Sequence, residues 1–232
     1  MISLYDDIII SSNHHNKKGQ SLMPVISILN QKGGSGKTTI AINLARAYQL
    51  MGHSVLLVDS DKQGSSRDWQ SVDENNPLLL LVLDQVSIDR DIKKVIGQYD
   101  YIIIDGSPQA TEIATATIKA SDFILIPMQP SPFDLWASNN LIELIEQGRT
   151  VNPKLKAGIV LTRLVKNTKI GAEVGQVISD FGLPVLTSNI CQRTCYPYSA
   201  SLGKTVFDTE RPNSEPVKEI NSLANEINEL IK

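Results

Sequence analysis

Hydrophobic positions fall into seven short, nearly unbroken runs: Val25–Leu29, Ser54–Val58, Leu78–Leu83, Tyr101–Ile104, Phe123–Ile126, Ala157–Leu161 and Pro184–Leu186. They are rich in Ile, Val and Leu and do not alternate with polar residues, the pattern of strands buried on both faces of a parallel sheet. Between them the period lengthens. Ile40, Leu44, Ala47, Tyr48 and Met51 recur at helical spacing and Gly52 supplies a stop. Asp134–Ile145 and Ile170–Ser179 also read as helices. The last helix has Ser214 or Asn213 as N-cap, Pro216 in its first turn and an apolar stripe of Val217, Ile220, Ala224, Ile227 and Ile231. This alternation predicts an α/β fold, a single doubly wound, mostly parallel sheet with helices on both faces.

No internal repeat or linker interrupts the pattern, so residues 23–232 read as one domain. Residues 1–22 precede the first strand and read as a flexible extension, with Met23 the expected true start. An intact native peptide from residues 1–22 would refute that expectation. Asp6 and Asp7 before a very short apolar run exclude a signal peptide. His14 and His15 lie in this segment without further metal ligands nearby in sequence.

Of 232 residues, 41% are hydrophobic and 20% charged, which excludes a disordered or collagen-like chain. No run of about 18 apolar residues offers a membrane span. Cys191 and Cys195, spaced C-x3-C, make no disulfide framework or zinc ribbon, and a reducing cytosol is expected. The net charge of −3 excludes a uniformly basic nucleic-acid binder.

The strongest chemical signal is Lys32-Gly33-Gly34-Ser35-Gly36-Lys37-Thr38-Thr39, which follows the first strand and opens a helix. Its glycines let successive backbone N–H groups face phosphate oxygens, and the helix N-terminus adds its positive dipole end. Lys37 is placed to reach β- and γ-phosphates, and the Thr38 hydroxyl to ligate Mg²⁺. Tyr101–Ile104 runs into Asp105, a hydrophobic strand ending in a carboxylate that suits Mg²⁺. Val58-Asp59-Ser60-Asp61 ends the second run with carboxylates at i and i+2, on the ligand edge of such a sheet.

The unbroken K-G-G-x-G-K-T, with its extra Lys32, resembles the deviant Walker A family of ParA/MinD-type ATPases. The resemblance spans about Pro24 to Lys232. It implies ATP and Mg²⁺ as ligands and a homodimer that sandwiches ATP, with Lys32 reaching the partner's nucleotide. It also implies that Asp61 positions the attacking water and that Asp59 supports the metal and switch region. Asp59-Ser60-Asp61-Lys62-Gln63-Gly64 departs from the family's D-x-D-P-Q-G at one place, Lys62 for proline, which removes a fixed φ and adds a charge. Thr162 and Arg163 match the loop that contacts the nucleotide base. Pro127-Met128-Gln129-Pro130-Ser131-Pro132-Phe133-Asp134 resembles the P-x-x-P-S-P-x-D stretch of small ParF-like partition proteins.

Branch features narrow the expectation. The last helix carries Glu215, Glu219, Glu226 and Glu229 against Lys218 and Lys232, unlike a basic membrane-docking helix, so no membrane partner is expected. The cysteines do not match those of iron-protein reductases, and residues 1–22 leave no room for a helix-turn-helix domain. Residues 152–204 hold seven basic and two acidic residues, a local +5. Within them Ser201-Leu202-Gly203-Lys204-Thr205 resembles a partition-family S-x-G-K-T stretch, which implies backbone DNA contacts from Arg193 and Lys204. The expectation is a slow Mg²⁺-dependent ATPase of the bacterial cytoplasm, associated with the nucleoid. Its ATP-bound dimer binds DNA non-specifically and is released by a ParB/ParG-like centromere-binding partner. Alternatives are positioning of another cargo, in conjugation or organelle distribution, a nucleotide-locked scaffold, and an iron–sulfur carrier or reductase-type relative.

Overall fold

The computed structural model describes residues 23–107, 111–165 and 182–232. All seven apolar runs become strands: β1 (Val25–Ile28), β2 (Val55–Asp59), β3 (Leu79–Val82), β4 (Tyr101–Asp105), β5 (Phe123–Met128), β6 (Lys156–Leu164) and β7 (Val185–Cys191). They form one sheet in the order β3-β2-β4-β1-β5-β6-β7, every described pairing parallel. Burial on both faces holds for β1, β2 and β5, whose residues are buried throughout. It fails for β3, an edge strand whose Leu79 and Val82 are exposed. An apolar run does not reveal whether a strand has one neighbour or two, and among the described residues this one pairs with β2 alone.

Helices α1 (Lys37–Leu50), α2 (Ser65–Ser71), α3 (Ile88–Val95), α4 (Thr111–Ala120), α5 (Pro132–Ala137), α6 (Asn139–Val151), α7 (Cys195–Ser201), α8 (Val206–Thr209) and α9 (Glu215–Ile231) connect and cover the sheet. Ile40, Leu44 and Tyr48 of α1 pack with Ile220, Ala224 and Ile227 of α9 in the core of one face. Ile118 of α4 and Leu141 and Ile145 of α6 join one core on the opposite face, and Ile88 and Ile92 of α3 join a second there. α1 ends before Gly52 (φ 92), a left-handed position that glycine takes without a Cβ penalty. α9 starts after Ser214 with proline in its first turn, as its sequence predicts.

The run from Asp134 divides at Ser138, because the Ser138 hydroxyl donates to the Asp134 carbonyl (2.8 Å) that would continue the helix. The helix expected at Ile170–Ser179 and the extension at residues 1–22 lie outside the described residues.

The chain leaves β1 for α1 on one face and β4 for α4 on the other. These neighbouring strands therefore part at their carboxyl ends, the crevice where open α/β sheets take ligands. Register brings the acidic strand ends together there: Asp59 lies opposite Asp105, and Asp105 opposite Ile28.

Candidate nucleotide site

The loop after β1 is held at both ends before it meets any ligand. Asn30, 1% exposed, donates to the Pro127 carbonyl (2.7 Å) and accepts from the Lys32 amide (2.8 Å). Thr162 donates to the Ser35 carbonyl (3.1 Å) and Gln129 to the Gly34 carbonyl (3.3 Å). Gly34 (φ 71) and Gly36 (φ 99) take left-handed conformations, and Gly36 caps α1 without using a side chain. The first amides of α1 keep their donors for an anion, as a phosphate cradle requires.

Lys37 folds back over this loop. Its ammonium is largely buried and donates to the Lys32 carbonyl (3.1 Å). Burial lowers its pKa, opposed by the nearby Asp105 and Asp61 carboxylates. Thr38 Oγ1 and Ser66 Oγ each donate to Asp105 Oδ2 at 2.8 Å. The other oxygen, Asp105 Oδ1, is buried without a partner, and so is Ser35 Oγ. Burial pushes the Asp105 carboxyl up to about 6, while Thr38 and Ser66 pull it down.

A buried carboxylate oxygen left empty beside a free helix N-terminus is costly unless a cation and an anion arrive. The residues therefore fit a Mg²⁺–nucleotide. Such a metal takes only one or two protein ligands, and Thr38 and Asp105 are the residues that could supply them.

The two aspartates after β2 are differently engaged. Asp61 accepts from the Gln63 amide (3.1 Å) and the Ser107 hydroxyl (3.4 Å) and stays at the crevice, 9% exposed. Asp59, fully buried, accepts from the Asp61 amide (3.0 Å) and from the Arg67 amide (3.1 Å) and Nε (3.2 Å). Burial raises its pKa and these bonds lower it. Asp59 thus organises the loop; its i, i+2 relation to Asp61 loses meaning where the chain leaves the strand.

Lys32 is ion-paired with Asp134, which is fully buried and also accepts from the Gln129 amide (3.2 Å). Arg163 adopts φ 52, rare for a residue with a side chain, and its guanidinium lies beside Gly34. Thr39 sits in the first turn of α1, its carbonyl accepting from Asn43 (2.8 Å). The structure thus gathers Lys32 through Thr39, Asp61, Asp105, Thr162 and Arg163 at one sheet edge. Reading the sequence missed Asn30, Ser66 and Arg67, and it met Asp134 only as the end of the Pro127–Asp134 stretch, without its pairing to Lys32.

The candidate DNA contacts lie elsewhere. Arg193 is clasped by Glu219 of α9, its Nε 3.2 Å from both carboxylate oxygens, and this raises the guanidinium pKa. Lys204 is exposed, on a loop whose Lys204 carbonyl accepts from Trp69 Nε1 (3.1 Å). Lys166 and Lys169 lie outside the described residues. Cys191 and Cys195 form no disulfide, and burial raises the pKa of the Cys195 thiol.

Residues 26–206 match the CobQ/CobB/MinD/ParA nucleotide binding domain family. The chain belongs to this family. A maintenance of carboxysome distribution protein A from Halothiobacillus neapolitanus is 34% identical over 87% of this chain and 95% of its own length. The chromosome partitioning protein ParA of Caulobacter vibrioides is 28% identical over 79% of this chain and 86% of its own length. Among solved structures, the Pyrococcus horikoshii septum site-determining protein MinD, complexed with Mg-ADP, superposes with a TM-score of 0.72 at 20% identity. It covers 89% of this chain and 96% of that one. This member of the family has the parallel sheet its sequence predicts, and the strand order places β1 and the loop after it at the centre. No helix among the described residues is long and apolar enough to cross a membrane.

Proposed function

We propose that this chain is an ATP-hydrolysing positioning protein that works as an ATP-bound homodimer on DNA. The observation that carries the reading is the convergence of Lys37, Thr38, Asp61 and the half-satisfied Asp105 at the open N-terminus of α1. Backbone amides of Gly33 through Thr39 and the Lys37 ammonium bind the triphosphate. Thr38 and Asp105, with Asp59 behind them, would hold Mg²⁺, which when bound would supply charge neutralisation for the phosphates. Asp61 orients the water that attacks the γ-phosphorus, giving ADP and phosphate. A carboxylate alone activates water weakly, so intrinsic turnover is slow and a partner protein accelerates it. Thr162 and Arg163 border the nucleotide base.

Lys32 is the dimer's contribution. In this structure it is ion-paired with Asp134 of its own chain. To reach the partner's ATP it leaves that carboxylate, so the gain at the phosphates must exceed the pair it gives up. Dimerisation thereby depends on the triphosphate, and hydrolysis reverses it. Two copies side by side present two Lys204 surfaces, and avidity raises an otherwise weak, sequence-independent grip on DNA phosphates. Arg193 joins when its pair with Glu219 opens. The partner is a ParB/ParG-like adaptor, and the site of action is the nucleoid of a bacterial cytoplasm.

The decisive measurement is ATP turnover and ATP-driven light scattering of wild type against Asp61→Ala. The variant should bind ATP and dimerise yet not hydrolyse; undiminished turnover refutes the reading. A second reading keeps this mechanism and changes the cargo, since the 34%-identical relative is named for carboxysome distribution and not for chromosomes. Co-purification of tagged protein with plasmid DNA or with a protein-bounded body separates the two.

A further inference from the structure

We propose that Arg67 is a positioning residue for Asp61. It clamps the turn between β2 and α2 in place of the stiffness that proline would supply at position 62. The proposal rests on the reading of Asp61 as the group that orients water.

The turn runs from Asp61 to Gly64, closed by the Gly64 amide donating to the Asp61 carbonyl at 2.9 Å. Lys62 occupies its second position, where proline's fixed φ and missing N–H suit a turn best. Lysine leaves φ free there, so something else must hold the loop. Arg67, at the start of α2, spends its whole guanidinium on that task. Its Nη2 donates to the Asp61 carbonyl (2.6 Å), its Nε to Asp59 (3.2 Å) and its Nη1 to Asp84 beyond β3 (3.3 Å). The Arg67 amide donates to Asp59 as well (3.1 Å).

One planar fork therefore joins the ends of two strands to the main chain of the residue that faces the nucleotide. Arginine fits because its donors are fixed in a plane and stay charged; lysine offers one point charge. The packing is close. A Cβ added at Gly64 (φ 73) would lie 2.8 Å from Arg67 Nε, so the turn and the guanidinium are matched to each other. Lys62 itself faces outward and lines a groove with Asp84, Gln85 and Glu112, leaving the clamp to Arg67.

The test combines Arg67→Gln with Lys62→Pro in the full chain and reads two quantities. One is amide hydrogen exchange at Gly64 without nucleotide; the other is kcat, KM and Kd for ATP. Arg67→Gln should quicken Gly64 exchange and lower kcat by about tenfold each, the value of one charged hydrogen bond, with Kd for ATP within about twofold. Adding Lys62→Pro should restore most of both.

Unchanged exchange and kcat in Arg67→Gln would overturn the proposal. So would accelerated exchange that Lys62→Pro does not slow, because the arginine would then hold something other than this turn. If Arg67→Gln does not fold, Arg67→Lys carries the same test, with smaller expected changes in the same direction and the same rescue. Should Asp61→Ala retain turnover, the water-orienting role falls, while the exchange arm, read without nucleotide, still judges the clamp.

Discussion

Two charged regions of this molecule are built on opposite principles. At the carboxyl ends of β1, β2 and β4, ionisable groups are buried and not all satisfied: Lys37 folds over its own loop, and Asp105 Oδ1 and Ser35 Oγ have no partner. Around α9 the charges close upon one another. Glu219 holds Arg193, and Glu226 accepts from the Thr187 and Ser188 amides at 2.6 and 2.7 Å. The unpartnered oxygens at the phosphate loop leave room for a ligand, whereas the Arg193–Glu219 and Glu226 pairings are architecture even where the sequence looks basic. The +5 of residues 152–204 is therefore a property of the chain more than of one surface. Arg163 turns to the phosphate loop, Lys156 donates to the Leu230 carbonyl and Arg193 is neutralised by α9.

The largest test of this contrast is Lys37→Ala. It should lower ATP turnover by on the order of a thousandfold, since the ammonium meets charge on the transferred phosphoryl group; near-normal steady-state hydrolysis would break the comparison at its stronger end. Next comes Lys32→Ala. Nucleotide Kd should move by less than about threefold, while ATP-driven dimerisation in light scattering drops by tenfold or more, roughly one lost charged contact per subunit.

On the other side, Lys204→Glu should weaken DNA binding by roughly tenfold and flatten its salt dependence. Arg193→Ala should instead lower stability by about 1–2 kcal/mol in urea melts, because it takes the charged partner from Glu219 and leaves that carboxylate, among the described residues, only the Cys191 amide and the Tyr196 hydroxyl. Glu219→Gln sharpens the point, since a freed Arg193 should tighten DNA binding; weaker binding would show that the pair itself is the contact.

The smallest effect concerns Asp105→Asn without nucleotide. The folded-state pKa of about 6 lies above the ordinary 3.8. Between these values the folded chain holds a proton that the unfolded chain has lost, so Asp105 costs stability increasingly as pH rises and fully above about 6. The substitution should stabilise the apo-protein by about 1 kcal/mol at pH 8 and by nothing near pH 4. An equal gain at both pH values would mean that packing, not charge, is responsible.

Much of the nucleotide side was legible because it is local. All seven strands appeared as runs, although β7 extends to Cys191 beyond the expected Leu186, its outward residues being polar. Helices α2, α3, α4, α7 and α8 escaped the reading, being short or weakly striped. α8 nevertheless carries a Thr205/Asp208 capping box, a spacing signal present in the sequence. The ion pairs were invisible: nothing adjacent to Arg193 announces Glu219, and nothing near Lys32 announces Asp134.

The sequence by itself determined the α/β class, the strand segments and the glycine turn that opens α1. Those depend on the period of side chains and on φ at single residues, which contiguous positions specify. Tertiary structure alone decided the strand order, the empty oxygen of Asp105, the Arg67 clamp and the resting place of Lys32. Thr38 meets Asp105 across 67 residues and Lys32 meets Asp134 across 102. Such meetings follow from which face each crossover takes and which neighbour each strand finds, and no local pattern encodes that choice.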